Sequence, residues 1–168
     1  RVIALEPVKH RADIARKCGI CEVIDCAGEH QMEEVMTATD QRGVDIVVDA
    51  TGLSSCIETG LAIAAKYGQV LLMGSPRSEW IGNMTNAFSH IHMKMLTVIG
   101  CLNRRYPYQE KEGSSLSMVR SMKYIEGLLQ NKIIDVNLFI SHHVAPNAEE
   151  LMEAYDGLMN HKERYTGV

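Results

Sequence analysis

The chain has 168 residues, 46% of them apolar and 23% charged, enough for a core that takes roughly 70% of the unfolded surface out of water. A formal net charge of -4 without any block of like charges lacks the basic footprint of nucleic-acid or anionic-membrane binding. No apolar run reaches bilayer length, and the opening RVIALEPVKH lacks the order of a signal peptide, so the expectation is a cytoplasmic protein with no membrane segment.

Val2 to Leu5 is a short apolar run closed by Glu6 and Pro7, which predicts a buried parallel strand that ends where a helix begins. The chain opens inside this run on Arg1 rather than on an initiator Met, which reads as the middle of a fold and predicts a piece of a longer protein. From Val8 to Gly19 the apolar positions Val8, Ala12, Ala15 and Cys18 recur at helical spacing, with Gly19 at the C-terminal position. A strand over Glu22 to Asp25 and a helix from Glu29 to Thr39 follow.

GVDIVVDATG, Gly43 to Gly52, is an aliphatic strand with a small polar exit, and it leads into a helix from Leu53 to Lys66. GQVLLMGSP supplies another apolar strand, Val70 to Met73, leaving through Gly74, Ser75 and Pro76. Neither strand alternates with period two, so helices are expected on both faces of a doubly wound parallel sheet. Beyond a polar loop around Trp80 to Asn86 and a short helix near His90, MLTVIGC is the last strand of the set. NRRYPYQEKEGSS is loop by composition. Leu116, Val119, Met122, Ile125 and Leu129 mark a helix, Leu138 to Val144 reads as a strand, and Asn147 with Glu150 forms a capping box ahead of a final helix. YTGV is read as part of one more strand.

Glu6 is the sharpest chemical signal. An acid at the carboxyl end of a parallel strand is where a nucleotide-binding sheet accepts both ribose hydroxyls of an adenosine. The same acid would also serve as a helix cap or a first-turn partner of the helix dipole. A ribose-binding carboxylate repels a 2'-phosphate, so a functional Glu6 favours NAD over NADP. Glycine exits at Thr51-Gly52, Gly74-Ser75 and Gly100 all follow strands, at the sheet edge where ligands bind.

No GxGxxG or GxxxxGK[ST] phosphate loop occurs; such a fingerprint belongs about 20 residues before the acid, upstream of Arg1. No tyrosine lies four residues before a lysine. The five cysteines suggest thiols in a reducing compartment rather than a disulfide framework. Cys18, Cys21 and Cys26 have metal-like spacing but lack a fourth ligand with a signature of its own, and the pairs His90/His92 and His142/His143 lack partners in register. Packing accounts for these, and for the scattered methionines.

VIALEPVKHRADIARKCG, RGVDIVVDATG, GQVLLMGSP and LTVIG, in this order and spacing, resemble the cofactor-binding domain of medium-chain dehydrogenase/reductases, in particular the zinc-type alcohol, polyol and threonine dehydrogenase branch. LFISHHVAPNAEELMEAYDGL resembles the segment that returns to that family's catalytic domain. The resemblance implies a Rossmann-type α/β domain over residues 1–130, lacking its first strand and glycine loop, and a return segment over 131–168. It implies that Glu6 takes the adenosine ribose with Arg11 beside it. Thr51 and Gly52 would approach the nicotinamide ribose, and Met73, Gly74, Ser75, Ile99 and Gly100 would hold the carboxamide. It further implies a parent enzyme that oxidises a small alcohol or polyol with NAD, with zinc held by ligands outside this chain. A homo-oligomer would form through the edge strand at 95–101. This chain contributes no catalytic residue and is expected to be inactive alone.

In the strand order 3-2-1-4-5-6 the absent first strand is central, so the sheet is expected to split and the strands at Val2 and Val23 to lack their partner. Three alternatives stay open: a zinc-free quinone-oxidoreductase-like enzyme using NADPH, a methyltransferase-like domain, and a non-catalytic assembly module. A methyltransferase would finish its sheet with an antiparallel hairpin.

Overall fold

The computed structural model describes residues 1–102, 106–112 and 116–168. They gather into two compact units, one of Arg1–Ala27 with Pro107–Val168 and one of Gly28–Tyr106.

The first unit begins with β1 (Ile3–Leu5), α1 (Lys9–Lys17) and β2 (Glu22–Ile24). The two strands form their own parallel sheet, with Ile3 opposite Glu22 and Leu5 opposite Ile24. This corrects the expectation that the strands at Val2 and Val23 lack a partner, because each is the other's. Ala12 and Ile14 are the buried positions of α1, while its outer face carries Arg16, which bridges Asp13 at 3.0 Å and Asp25 at 2.9 Å. Arg16 also donates to the Val23 carbonyl, so one side chain fastens the helix to the strand it leads into. The Arg16 bond holds the Asp25 carboxyl below its ordinary range.

The rest of this unit holds α5 (Met118–Gln130), a short 3-10 turn (Val136–Leu138) and α6 (Ala148–Asn160). The fully buried Ser117 caps α5, its hydroxyl accepting from the Arg120 amide. The capping box of α6 forms as its sequence requires. Asn147 Oδ1 accepts from the Glu150 amide at 2.9 Å, and the Glu150 carboxylate accepts from the Ala145 amide and Asn147 Nδ2. The strand expected over Leu138 to Val144 is not one, and neither is YTGV. The amides of Ser141 and His142 both donate to the single Gly167 carbonyl, at 2.9 and 3.3 Å. Two donors converging on one acceptor cannot continue as a ladder, in which successive bonds go to successive residues. Of the loop read over 103–115, residues 103–105 and 113–115 lie outside the described residues.

The second unit contains α2 (Glu29–Ala38), β3 (Val44–Asp49), α3 (Ser54–Ile63), β4 (Ala64–Leu72), α4 (Met84–Lys94) and β5 (Thr97–Gly100). Its strands form a parallel sheet of order β3-β4-β5. The sheet is thus split in two, and each part keeps a neighbour order found in a doubly wound α/β domain. Leu61, Ala64, Val70, Ala87 and Leu96 make the core, with Val47, Leu72 and Ile91 packed against it. Lacking a side chain, Gly60 lets α3 sit directly on Val47, whose methyl would be 3.0 Å from an added Cβ.

The helix expected to run to Lys66 stops at Ile63, and the strand expected from Val70 begins at Ala64. Ala64 pairs with Val44, yet Ile46 pairs with Gln69, so residues 65–68 bulge out of the ladder. Tyr67 there takes a positive φ of 66°. Two features end α3 early. At Gly43 a Cβ would lie 2.5 Å from the Ile63 carbonyl oxygen, so only glycine lets the chain entering β3 pass so close to the helix end. The second is Lys94 at the end of α4, whose ammonium donates to the carbonyls of Leu61, Ala62 and Ala64 at 3.3, 2.5 and 3.0 Å. Those carbonyls belong to the last turn, which a helix cannot satisfy by itself.

Candidate functional site

In the first unit, β1 delivers Glu6 to its carboxyl end, and the Glu6 amide extends the pairing by donating to the Ile24 carbonyl at 3.1 Å. Pro7 and Val8 turn the chain into α1. The N-cap position, Val8, offers no side-chain acceptor, and the Glu6 carboxylate fills the gap by accepting from the Val8 amide at 2.9 Å. Glu6 is half-buried. Five residues on, Arg11 is also half-buried, and its Nε is buried without a hydrogen-bond partner. A buried unpartnered guanidinium nitrogen is costly, and an acceptor arriving beside α1 would relieve that cost.

In the second unit, β3 and β4 leave the sheet side by side and are locked together. Asp49, 6% exposed, ends β3. Its Oδ1 accepts from the Thr51 amide at 3.1 Å and the Thr51 hydroxyl at 2.6 Å, and its Oδ2 accepts from the Gly52 amide at 3.1 Å. Its carbonyl accepts from the amides of Met73 and Gly74 at 2.9 and 2.8 Å. Gly52 and Gly74 face each other backbone to backbone. A Cβ on Gly52, whose φ is +69°, would fall 2.0 Å from the Ser75 carbonyl oxygen, and one on Gly74 would fall 2.2 Å from the Gly52 nitrogen. Thr51, Gly52, Met73, Gly74 and Ser75 are therefore one assembled exit. Ile99 and Gly100 join it through the ladder, opposite Leu71 and Leu72, and the Cys101 amide donates to the Leu72 carbonyl. The residues read from the sequence thus form two groups, one in each unit.

Sequence reasoning did not single out Asp49, the hub of this exit. The signal was present in D-A-T-G, since an acid two residues before a hydroxyl and three before a glycine is built for an Asx turn. The half-buried His90 on α4 has its pKa lowered, first by burial and then by Lys94, with Glu58 opposing. Among the described residues no three His, Cys, Asp or Glu side chains gather as a metal ion would need, and no helix is long and apolar enough to cross a membrane.

Residues 1–119 match the family model described as zinc-binding dehydrogenase. The chain belongs to this family. L-threonine 3-dehydrogenase of Bacillus licheniformis is 28% identical over 142 residues, a match that takes in 84% of this chain and 37% of that enzyme. Galactitol-1-phosphate dehydrogenase from Escherichia coli shares the fold, with a TM-score of 0.73 at 18% identity over 95% of this chain and 43% of that one. A further solved relative of the fold, an alcohol dehydrogenase from E. coli CFT073 described as complexed with NADH, gives a TM-score of 0.69 at 17% identity, covering 98% and 42%. The zinc-binding dehydrogenase segment seen here therefore spans well under half the length of the relatives it matches.

Proposed function

We propose that this chain is the cofactor-binding part of an NAD-linked dehydrogenase that oxidises a small secondary alcohol or polyol, with residues 1–130 as the nicotinamide-nucleotide domain and 131–168 as the return segment. The observation that carries the reading is the pair at the start of α1, a half-buried Glu6 carboxylate at a parallel strand end and a buried Arg11 Nε without a partner. Membership of the zinc-binding dehydrogenase family supports it, and so does the NADH named with one fold relative. Parallel ladders throughout the described strands favour it over a methyltransferase-like domain.

When bound, the nicotinamide accepts the hydride, and that chemistry belongs to the cofactor. The chain's own residues bind and orient. Glu6 keeps acceptor capacity beyond the Val8 amide, since an ionised carboxylate offers about four lone-pair sites, and it would take the adenosine ribose hydroxyls while repelling a 2'-phosphate. Arg11 would turn its guanidinium to the adenosine side. The exit at Thr51, Gly52, Met73, Gly74 and Ser75, with Ile99 and Gly100, would present backbone groups to the nicotinamide ribose and carboxamide, because its glycines leave the backbone bare. Zinc would be held by ligands outside this chain. Two copies would pair through the β5 edge, in the cytoplasm.

Titration of NADH and NADPH against the protein at its full natural length tests the reading. NADH should bind the wild type at least about tenfold more tightly than NADPH. Glu6→Gln, which retains an acceptor for the Val8 amide, should weaken NADH by roughly tenfold, the worth of a charge-assisted hydrogen bond. A wild type that prefers NADPH, or a Glu6→Gln variant with unchanged NADH affinity, would overturn it.

A further inference from the structure

His10 stands in the first turn of α1, beside Arg11 and four residues after Glu6, and it is used neither by the helix cap nor by the proposed cofactor contacts. Its Nε2 lies 3.1 Å from the hydroxyl of Thr166, 156 residues away in sequence. Both residues are half-buried.

Thr166 is anchored on its own side. Its amide donates to the Ser141 hydroxyl at 3.0 Å, and that hydroxyl donates to the Gly167 carbonyl at 2.9 Å. The imidazole of His142 stacks on the Tyr165 ring with centroids 3.8 Å apart and planes 7° from parallel. Tyr165 in turn packs against Gly157 of α6, where a Cβ would sit 2.4 Å from the ring. The return segment is thus a braced platform, and the hydrogen bond to His10 fastens the start of α1 to it.

We propose that His10 is a positioning residue for the adenosine end of the cofactor, holding the first turn of α1 against Thr166 so that Glu6 and Arg11 point at the same ligand. The inference rests on the cofactor reading above. The coupling is short and physical. Glu6 is tied to that turn through the Val8 amide, and Arg11 is on the turn itself, so any looseness there spreads the aim of both groups. Preorganisation of this kind enters affinity directly, because a ligand that must also order its site binds more weakly by that cost.

The test uses ADP-ribose, which carries the adenosine end without the nicotinamide, on the protein at its full natural length. His10→Ala and Thr166→Val should each weaken ADP-ribose by about fivefold, the worth of one hydrogen bond, and the double variant should be no weaker than either single, as expected of two partners in one contact. His10→Gln, whose amide can reach the same hydroxyl, should restore most of the affinity. In turnover the loss should appear in KM for NAD and leave kcat unchanged. Unchanged ADP-ribose affinity in both single variants, even with a lowered melting temperature, would make the contact purely structural and overturn the proposal while the cofactor reading stands. A wild type that fails to bind ADP-ribose would overturn both. Should His10→Ala fail to fold, the nearly isosteric Thr166→Val carries the test.

Discussion

Replacing Lys94 by Met keeps the length of the aliphatic stem and removes only the ammonium group. That group donates to the carbonyls of Leu61, Ala62 and Ala64, and Leu61 and Ala64 are themselves 4% and 2% exposed, inside the core of the second unit. A hydrogen bond to a charged group contributes roughly 1.5–3 kcal/mol, and a buried acceptor left unpaired costs about 1–3 kcal/mol. Burial pulls the Lys94 pKa down, so desolvation of the charge takes back part of what the carbonyls give. With water able to reach the half-buried Ala62, a net loss of about 2 kcal/mol is the balance. Urea unfolding monitored by circular dichroism reads it as a lowered midpoint with an unchanged m-value. A Lys94→Met midpoint equal to wild type would instead mean that solvent satisfies the end of α3 as well as the lysine does.

Gly74→Ala places a Cβ where the Gly52 nitrogen stands at 2.2 Å; as both sides are backbone, neither yields cheaply, and a loss of about 3 kcal/mol in the same assay is expected. His90 gives a pH dependence whose sign is fixed by its cause. Because burial favours its neutral ring in the folded state, the folded pKa lies below the unfolded value of about 6.5, and the unfolded state binds the proton first. Stability is therefore whole above that value, falls as pH drops through the window between the two pKa values, and stays reduced below the folded one. His90→Gln should flatten the difference between urea midpoints at about pH 5 and pH 7.5, and an unchanged difference would assign it to other groups.

The parallel α/β architecture was legible because aliphatic runs without alternation, each ending in a glycine or an acid, leave few other solutions. The C-terminal region was less so, since LFISHHV has the composition of a strand, and whether it becomes one depends on a partner offering carbonyls in succession. Around Gly167 one carbonyl receives two amides, and no local pattern signals that. The end of α3 was hidden for a similar reason. Ala64, Ala65 and Lys66 are good helix formers, and what stops the helix is the ammonium of a residue on α4, about thirty positions later, together with a glycine twenty residues earlier that admits the backbone of the neighbouring strand.

Among the described residues Glu6, Asp25 and Asp49 all stand at the ends of parallel strands, and sequence position alone does not say which can meet a ligand. Asp25 is exposed and bound by Arg16. Asp49 is buried, and both its oxygens are taken by three donors of the turn that follows it. Its charge is spent on building the exit, so its removal should show in stability before it shows in any binding. Glu6 gives one oxygen to the Val8 amide and stays half-buried, with an unpartnered guanidinium nitrogen on the helix it caps. A carboxylate with acceptor capacity left over, close in sequence to a donor without an acceptor, is the arrangement in which a bound diol and its attached base satisfy groups that the protein alone leaves unmatched.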